Sequence, residues 1–275
     1  MQQTGTECEF GSSDSWVILS PIEQSIKRKI EAVGTPLKDW DINIYRGVLT
    51  GYNEAFIIST EKREEILANC QSEDERERTA ELIRPILRGR DIKRYGYNWA
   101  NLWLINTHNG IRGKLERVHI EDYPAIKTHL DQYWDRISKR ADKGDTPYNL
   151  RNCAYLEDFS KPKIIFQEIV QDSQFCLDKA RNMFCNDTCR IIVGKNIEYL
   201  IHILNSKLFF FAVKRYYGGG LLGGGVRMKH TFFLKFHCIN NLKELQHIVP
   251  EDIDKFIYNE YKLSSEEIAY IENNV

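Results

Sequence analysis

Apolar residues recur at helical spacing near both ends of the chain. In residues 20–33, Ile22, Ile26 and Ile30 fall on one face, behind a Ser-Pro pair of the kind that begins many helices. Residues 251–273 repeat the pattern, with a Ser-Ser-Glu-Glu sequence opening the final helix. We therefore predict a helical region at each end, and we expect the two to pack together and brace the region between them.

The central region mixes strand-like and helix-like patterns. Short apolar runs with period-two alternation favour strands, and longer polar segments with one apolar face favour helices. The predicted strands are residues 42–48, 55–59, 101–107, 163–170, 175–178 and 189–193, and the predicted helices are residues 60–69, 72–87, 123–140, 196–213 and 241–247. Strands and helices without a fixed internal repeat predict an α+β fold, in which a strand-rich mixed sheet with several helices is braced by the terminal helices.

This reading divides the chain into four segments. They are a flexible lead-in (1–19), a bracing helix and linker (20–40), a central domain (41–240) and a C-terminal helical region (241–275). The 275 residues are 42% hydrophobic and 12% aromatic, which is enough for a substantial core and excludes a disordered protein.

Composition also bears on the compartment. The longest apolar runs are far too short to span a bilayer, and the N-terminal residues lack the pattern of a secretory signal. The seven cysteines are an odd number without framework spacing. We therefore expect free thiols and a cytoplasmic protein that does not contact a membrane.

Basic residues are segregated along the chain. The net charge is only -1, yet residues 199–243 contain seven Lys or Arg and no Asp or Glu. The same stretch holds a double glycine turn, residues 216–225, flanked by tyrosines and cations. Segregated positive charge on a nearly neutral protein is the pattern expected of a surface that meets phosphate.

A second basic cluster occupies residues 84–95. It contains Pro85 and five cations, with Gly89 allowing a tight turn between Arg88 and Arg90. Arginine can hold a phosphate, or the edge of a guanine, with two hydrogen bonds. A solvated turn whose cations pair with nearby acids is the alternative interpretation.

Motifs for catalysis are missing from the sequence. Gly218-x-Gly220-x-x-Gly223 matches the letters of the dinucleotide fingerprint, but a predicted helix rather than a strand precedes it. Acids in residues 250–262 imitate a nuclease motif yet decorate an amphipathic helix. No two prolines are adjacent, which excludes the Asn/Asp-Pro-Pro-Tyr motif of adenine methyltransferases, and the cysteines and histidines lack metal-ligand spacing. We expect no catalytic, cofactor or metal site in this chain.

Several motifs, in a fixed order, resemble a known family. It is the TaqI-like C-terminal specificity domain of type IIG restriction–modification enzymes and related adenine-N6 DNA methyltransferases. The motifs are residues 45–58 (YRGVLTGYNEAFII), 86–95 (ILRGRDIKRY), 161–169 (KPKIIFQEI), 204–209 (LNSKLF), the glycine turn with Arg227 and Lys229, 253–258 (IDKFIY) and 263–268 (LSSEEI). The resemblance covers about residues 20–272, and the order of the motifs is more specific than any one of them.

The resemblance implies a division of labour. In the family this module recognises the DNA target, while a separate upstream domain binds S-adenosylmethionine and methylates adenine, and some members add a nuclease. This chain lacks both parts, so we expect a non-catalytic target-recognition module. Its implied partners are double-stranded DNA and a methyltransferase domain or subunit, with or without a nuclease. S-adenosylmethionine, and Mg²⁺ where there is cleavage, would belong to that catalytic partner.

Chemistry and loop position then select candidate DNA-binding residues. The candidates for contacts with base edges are Arg46, Tyr52, Asn53, Arg90, Tyr148, Asn149 and Arg151. The candidates for phosphate contacts are Arg88, Lys93, Arg94, Lys214, Arg215, Arg227 and Lys229. Tyr216 and Tyr217 are candidates for stacking on a sugar or a distorted base pair.

Two other functions agree with the same charges. A protein-interaction or scaffold module could use a basic face to bind an acidic protein without DNA specificity. An RNA-binding domain is disfavoured because no aromatic strand motif of the RNP type occurs. Selective retention of one duplex over a scrambled duplex separates DNA recognition from the scaffold hypothesis.

Overall fold

The computed structural model describes residues 19–239 and 249–275. The predicted helix at 241–247, and the lead-in apart from residue 19, lie outside the described residues. The chain divides into two compact units, which we call the sheet unit (43–167 and 175–194) and the helical unit (the described residues of 1–42, 168–174 and 195–275). The four segments predicted from the sequence divide the chain differently, and that division stays a prediction.

The described residues form short strands and helices. The strands are β1 (Thr35–Pro36), β2 (Ile42–Arg46), β3 (Ile57–Ser59), β4 (Ile83–Leu87), β5 (Ile92–Lys93), β6 (Gly96–Tyr97), β7 (Leu102–Ile105), β8 (Lys163–Gln167), β9 (Ile169–Val170), β10 (Phe175–Asp178), β11 (Phe184–Cys185), β12 (Cys189–Gly194), β13 (Val226–Arg227) and β14 (His237–Cys238). The α-helices are α1 (Pro21–Ala32), α2 (Asn53–Phe56), α3 (Thr60–Ala68), α4 (Glu73–Leu82), α5 (Pro124–Asp131), α6 (Trp134–Ile137), α7 (Ile197–Leu204), α8 (Lys207–Arg215), α9 (His230–Phe233), α10 (Ile253–Glu260) and α11 (Ser265–Glu272). The predicted α+β class is confirmed.

The sheet unit is built on two four-stranded sheets. Their strand orders are β10-β8-β12-β2 and β11-β4-β7-β3. β8 pairs antiparallel with β10 and β12, whereas β4 pairs parallel with β11 and antiparallel with β7, so the second sheet is mixed. Ile164, Ile165 and Phe166 of β8 are at most 1% exposed, which makes β8 the buried central strand of its sheet.

A buried ion pair links β8 to β10. Lys163 and Asp178 are opposite each other in the antiparallel register, and Lys163 Nζ lies 2.6 Å from Asp178 Oδ2. Lys163 Nζ also donates to the carbonyl oxygen of Phe159 at 2.6 Å, and Asp178 Oδ2 accepts from the backbone N–H of Met183 at 3.0 Å. The pair therefore fixes the start of the segment that leads into β11.

The helical unit joins the two ends of the chain. Ser20 and Ser264 cap α1 and α11, each in a capping box with a glutamate three residues later. Glu267 of α11 accepts hydrogen bonds from Ser25 at 2.8 Å and Lys29 at 2.6 Å, both on α1. The prediction that the terminal helices pack together is confirmed by these bonds.

Some predicted elements were too long. Residues 72–87, predicted as one helix, form α4 and then β4, because β4 pairs with β7 and Pro85 cannot continue a helix. Residues 196–213, also predicted as one helix, break between α7 and α8, where the Ser206 hydroxyl caps α8 by accepting from the N–H of Phe209 at 3.2 Å.

Two more local predictions differ from the structure. Residues 123–140 contain two short helices, α5 and α6, instead of one long helix. The predicted strand at 55–59 begins as the single helical turn α2 and becomes β3 only at Ile57. Within the described ranges, no helix combines the length and apolar character needed to cross a bilayer.

Candidate nucleic-acid interface

The turn at residues 88–91 of the sheet unit is organised by a carboxylate. Asp91 is 5% exposed and accepts three hydrogen bonds from Arg88: from the backbone N at 2.8 Å, Nε at 3.0 Å and Nη2 at 2.8 Å. Burial alone would raise the pKa of Asp91, but the hydrogen bonds and charge of Arg88 outweigh it, so the pKa lies below its usual value. Arg88 therefore holds the shape of the turn.

The other cations in and just after this turn face solvent. Arg90, Lys93 and Arg94 are exposed, and Lys93 Nζ donates to the carbonyl oxygen of Arg90 at 3.2 Å. Among the described residues Arg90 forms no ion pair, although its charge helps to lower the pKa of Asp91. The guanidinium of Arg90 is thus available for a ligand.

Arg94 and Tyr95 form the turn of a tight hairpin between β5 and β6. Ile92 pairs with Tyr97 and Lys93 pairs with Gly96. Tyr95, the second residue of the turn, has a positive φ of 63°, and its N–H donates to the carbonyl oxygen of Phe175 at 2.9 Å. The backbone thus holds the exposed side chain of Arg94 at the end of the hairpin.

A segment that is distant in sequence forms a hydrogen bond with the 88–91 turn. Residues 186–188, which we call the Asn186 turn, place the Thr188 hydroxyl 2.9 Å from the donating N–H of Gly89. The same hydroxyl donates to Asn186 Oδ1 at 2.6 Å, so one side chain of the turn positions the other. A Cβ at Gly89 would lie 2.9 Å from Cγ of Gln167, so a larger residue there would have to displace that side chain.

The Asn186 turn also contacts the segment that follows β2. A Cβ at Gly47 would lie 1.9 Å from the carbonyl oxygen of Asn186, so the two backbones touch. Arg46 Nη2 lies 3.6 Å from Asp187 Oδ2, and both side chains are more than one-third exposed. The structure therefore brings Arg46 and the 88–91 turn to the same short turn from two distant parts of the sequence.

Sequence reasoning missed the residues that make this connection. Asp187, Thr188 and Gln167 were not candidates, and Thr188 is 99 residues from its partner Gly89. The available signal was local: an Asn-Asp-Thr run between two apolar strands is typical of a turn. Nothing in that run indicates which distant backbone the turn contacts.

A second neighbourhood of the sheet unit is built around a buried arginine. Arg140 is 7% exposed and donates to four carbonyl oxygens, which belong to Thr50, Asp142, Pro147 and Asn149. Its guanidinium also lies 4.5 Å from the centre of the Phe56 ring. Burial lowers the pKa of Arg140 to about 10, partly opposed by Asp142, so it stays charged at neutral pH.

Arg140 holds two candidate loops together. One carries Tyr52 and Asn53 at the start of α2, where Asn53 is exposed and its Oδ1 accepts from the Thr50 hydroxyl at 2.6 Å. The other carries Arg151, whose Nη1 donates to Asp142 Oδ1 at 2.7 Å with 55% of the side chain exposed. Asn53 and Arg151 are therefore both accessible to a ligand.

Two other candidates in this neighbourhood already form hydrogen bonds within the protein. Asn149 is 1% exposed, and its Nδ2 donates to the carbonyl oxygen of Val118 at 2.9 Å, so its amide cannot reach a base in this conformation. The Tyr148 hydroxyl donates to Asp131 at 2.6 Å, and Lys127 Nζ lies 5.4 Å from the centre of its ring. Asn149 holds its own loop, and Tyr148 belongs to a surface network.

In the helical unit, several predicted contact residues at the end of α8 are already bonded. Arg215 Nε lies 3.1 Å from Glu23 Oε1, and Lys214 Nζ donates to the carbonyl oxygen of Asn274 at 3.1 Å. Tyr216 and Tyr217 are 8% and 9% exposed, and burial raises the pKa of both hydroxyls. Neither ring presents the open face that stacking needs, because the aromatics fill the interior of the unit.

The glycine turn after α8 is a regular hairpin. The N–H of Gly219 donates to the carbonyl oxygen of Val213 at 3.0 Å, and the N–H of Arg227 donates to that of Gly219 at 2.7 Å. Beyond Arg227, Lys229 begins the next segment with its Nζ 5.7 Å from the centre of the Phe232 ring. Arg227 and Lys229 are both exposed.

Half of this chain matches the model of a known protein family. Residues 84–220 match the family model described as the TaqI-like C-terminal specificity domain. Through this segment the chain belongs to the TaqI-like specificity domain family. The matched segment includes the 88–91 turn, the β5–β6 hairpin and the Asn186 turn, and such specificity domains are DNA sequence-recognition modules of restriction–modification systems.

Solved structures share the fold of this specificity domain. The type IIL restriction–modification enzyme MmeI, solved in complex with DNA, matches 87% of this chain with a TM-score of 0.54 and 11% identity. The type IIG restriction endonuclease BpuSI matches 92% of this chain with a TM-score of 0.56 and 14% identity. The chain spans 32% of the MmeI chain and 31% of the BpuSI chain. The search of curated proteins by sequence gave no match.

Proposed function

We propose that this chain binds double-stranded DNA sequence-specifically, as the target-recognition module of a restriction–modification enzyme. The observation that carries the proposal is the convergence of Arg46 and the 88–91 turn on the Asn186 turn, in a chain of the specificity domain family. Exposed arginines on a backbone held by hydrogen bonds are suited to bidentate contacts with base edges or phosphates.

The two kinds of DNA contact would fall to different side chains. Arg90 and Arg46 would read base edges, where each good bidentate contact contributes about 1–3 kcal/mol of discrimination. Lys93 and Arg94, at the β5–β6 hairpin, would neutralise phosphates and set the register. Arg88 would act indirectly, since Asp91 occupies its guanidinium.

Other exposed candidates complete the proposed interface. Tyr52, Asn53 and Arg151 lie on loops that Arg140 joins, and they would supply further base contacts. In the helical unit, Arg227 and Lys229 would contact phosphates, and Lys214 and Arg215 would add positive charge near them. Asn149, Tyr216 and Tyr217 would support these surfaces from within.

Catalysis would belong to a partner. The chain matches about a third of each restriction enzyme it resembles. We propose that an adenine-specific methyltransferase domain or subunit, with or without a nuclease, works with this module and holds S-adenosylmethionine and any Mg²⁺. A cytoplasmic location is part of the proposal, and it agrees with the free thiols of the six cysteines in the described residues.

Selection from a random duplex library tests the proposal. The chain is immobilised, duplexes with a randomised centre are passed over it near physiological salt, and retained molecules are amplified and sequenced. We expect one short motif to be enriched, because base-edge contacts discriminate among sequences while phosphate contacts do not. The binding constants of the enriched duplex and a scrambled duplex of the same composition are then compared.

The outcome decides between sequence recognition and general charge attraction. Enrichment of a motif that binds more tightly than its scrambled control supports the proposal. Equal, salt-sensitive binding of both duplexes would contradict it and leave a basic surface without DNA specificity. Tight binding of an acidic protein together with no enriched motif would favour a protein-interaction module.

A further inference from the structure

The glycine hairpin of the helical unit, residues 218–227, ends in a fully exposed leucine. Leu222 is 107% exposed, more than any other large apolar residue of the described chain, and its neighbour Leu221 is 38% exposed. Gly223 and Gly224 follow with φ angles of 90° and 89°, values that only glycine adopts easily. The turn therefore places one large apolar side chain at its tip.

Backbone bonds hold this tip away from the rest of the unit. The N–H of Leu221 donates to the carbonyl oxygen of Gly225 at 2.8 Å, and Gly220 forms an antiparallel bridge with Val226. Below that bridge, β13 pairs with β9 through Val226 and Val170. Leu222 is thus presented on a hydrogen-bonded stem.

The stem lies directly on the end of α8. A Cβ at Gly219 would lie 2.7 Å from Cγ1 of Val213, and a Cβ at Gly220 would lie 2.8 Å from the carbonyl oxygen of Lys214. Larger residues at these two positions would push the hairpin off the helix. The glycines therefore set the position of the leucine tip as well as its turn.

Charge near the stem indicates what covers the tip. Arg227, the last residue of the hairpin, and Lys229 just after it are exposed, and the sequence from residue 199 to residue 243 contains no acid. A partner that suits both features carries negative charge outside and an apolar interior within reach of one side chain. Duplex DNA has this chemistry, since its phosphates surround a stack of bases, and proteins insert leucine and similar wedges between base pairs.

We propose that Leu222 enters the base stack of the bound duplex and separates two neighbouring base pairs. The inference rests on the proposed function, because it needs the chain to bind DNA. Arg227 and Lys229 hold the adjoining phosphates, and the leucine fills the space between the separated bases. The hairpin then acts by deforming the duplex, and the base-edge contacts of the sheet unit read its sequence.

The experiment uses the duplex enriched by selection, with 2-aminopurine replacing each adenine in turn. Fluorescence of 2-aminopurine rises when the base loses its stacking partners. We expect the wild-type chain to raise the fluorescence at one step of the target. L222G and L222K are expected to lose this rise, whereas L222M, which keeps a long apolar side chain, retains it.

Two controls separate unstacking from binding. V249G changes another exposed apolar residue of the helical unit, 53% exposed and outside the hairpin, and is expected to behave as wild type. L222K adds a positive charge, so it should bind DNA at least as well at low salt while failing to unstack. Circular dichroism checks the fold of each variant, and we expect no change because the side chains of Leu222 and Val249 are exposed.

The outcomes distinguish the two proposals. Selective binding with no fluorescence rise, or a rise that survives in L222G, would overturn the role of Leu222 and leave the proposed function standing. Equal binding of target and scrambled duplexes would overturn both. Wild-type binding to vesicles of anionic phospholipid, lost in L222G while the DNA results stay unchanged, would assign the tip to a lipid surface instead.

Discussion

Arg88 Nε and Nη2 donate to the two carboxylate oxygens of Asp91, at 3.0 Å and 2.8 Å. This bidentate pair uses the same geometry with which an arginine grips a phosphate, so Arg88 is satisfied inside the protein. Arg90, two residues away, is exposed and forms no ion pair among the described residues. Neighbouring arginines of one turn therefore differ: one maintains the turn and the other leaves its guanidinium exposed.

Substitutions at these two positions should separate stability from binding. R88A leaves the buried Asp91 carboxylate without its guanidinium, and we expect the free energy of unfolding to fall by about 1–3 kcal/mol. R90A should change it by no more than about 0.5 kcal/mol but weaken binding of the selected duplex by about 1–3 kcal/mol, or roughly 5- to 150-fold in Kd. Urea denaturation and fluorescence anisotropy measure the two effects.

R112A serves as the matched control for R90A, since Arg112 is also an exposed arginine of the sheet unit. It should leave both stability and affinity close to wild type. Unchanged affinity in R90A would remove the 88–91 turn from the interface.

Gly47 should tolerate no side chain. The Cβ of G47A would lie 1.9 Å from the carbonyl oxygen of Asn186 and 2.7 Å from that of Cys185, so a backbone must move. We expect a loss of about 2–3 kcal/mol or more in the free energy of unfolding. G96A is the control, because a Cβ there meets nothing within 4 Å, and it should change stability by less than about 1 kcal/mol. Equal effects of the two changes in thermal denaturation would contradict the close contact.

Arg140 should not be replaceable by lysine. An ammonium cannot reach four carbonyl oxygens in one plane or lie flat on the Phe56 ring, so buried carbonyls lose their donors. We expect R140K to lower the free energy of unfolding by about 2–4 kcal/mol. R151K changes an exposed pair with Asp142 and should cost at most about 0.5 kcal/mol. A stable R140K variant in urea denaturation would show that the loops do not depend on this guanidinium.

Stability should fall in mild acid because of His129. The ring is 4% exposed, Nε2 lies 3.0 Å from the carbonyl oxygen of Ala55, and Nδ1 has no hydrogen-bond partner among the described residues. Burial lowers the pKa of His129, with the bond to Ala55 opposing it, so the folded state binds fewer protons than the unfolded chain. The free energy of unfolding should therefore decrease as the pH falls below about 6.5, the value of an unfolded histidine.

H129Q isolates this contribution, because its amide can keep the bond to Ala55 but cannot take up a proton. Burial also lowers the pKa of His108, so some dependence on pH should remain in the variant. Urea denaturation between pH 8 and pH 5 should give a smaller decline for H129Q than for wild type. Identical declines would exclude His129 as a source.

The sequence predicted best what depends on neighbouring residues. Ser20 and Ser264 each bond to a backbone N–H three residues ahead, so a capping signal within four letters identified both helix starts. Residues 83–87 looked helical because the charged pattern of α4 runs into them, but pairing with Leu102–Ile105 makes them a strand. Pairing with a distant strand leaves no local signal.

In the candidate interface, too, local chemistry could be predicted from the sequence and long-range contacts could not. The chemistry of Arg90 and Arg94 was visible in the sequence, since a basic turn with a glycine is a local pattern. Tyr216 and Tyr217 were wrongly expected to be accessible, because aromatic residues beside glycines and cations resemble a stacking surface. The bond between Gly89 and Thr188 depends on how the chain folds back, so no window of sequence contained it.

The matched segment, residues 84–220, leaves out strands and helices that pair or pack with it. β3 lies before this segment yet forms the edge of the β11-β4-β7-β3 sheet, and α10 and α11 lie after it yet pack on α8. A transplant trimmed to the segment would therefore lose a sheet edge and uncover the apolar side of a helix. Anyone grafting this domain to redirect another enzyme should move the surrounding strands and closing helices with it.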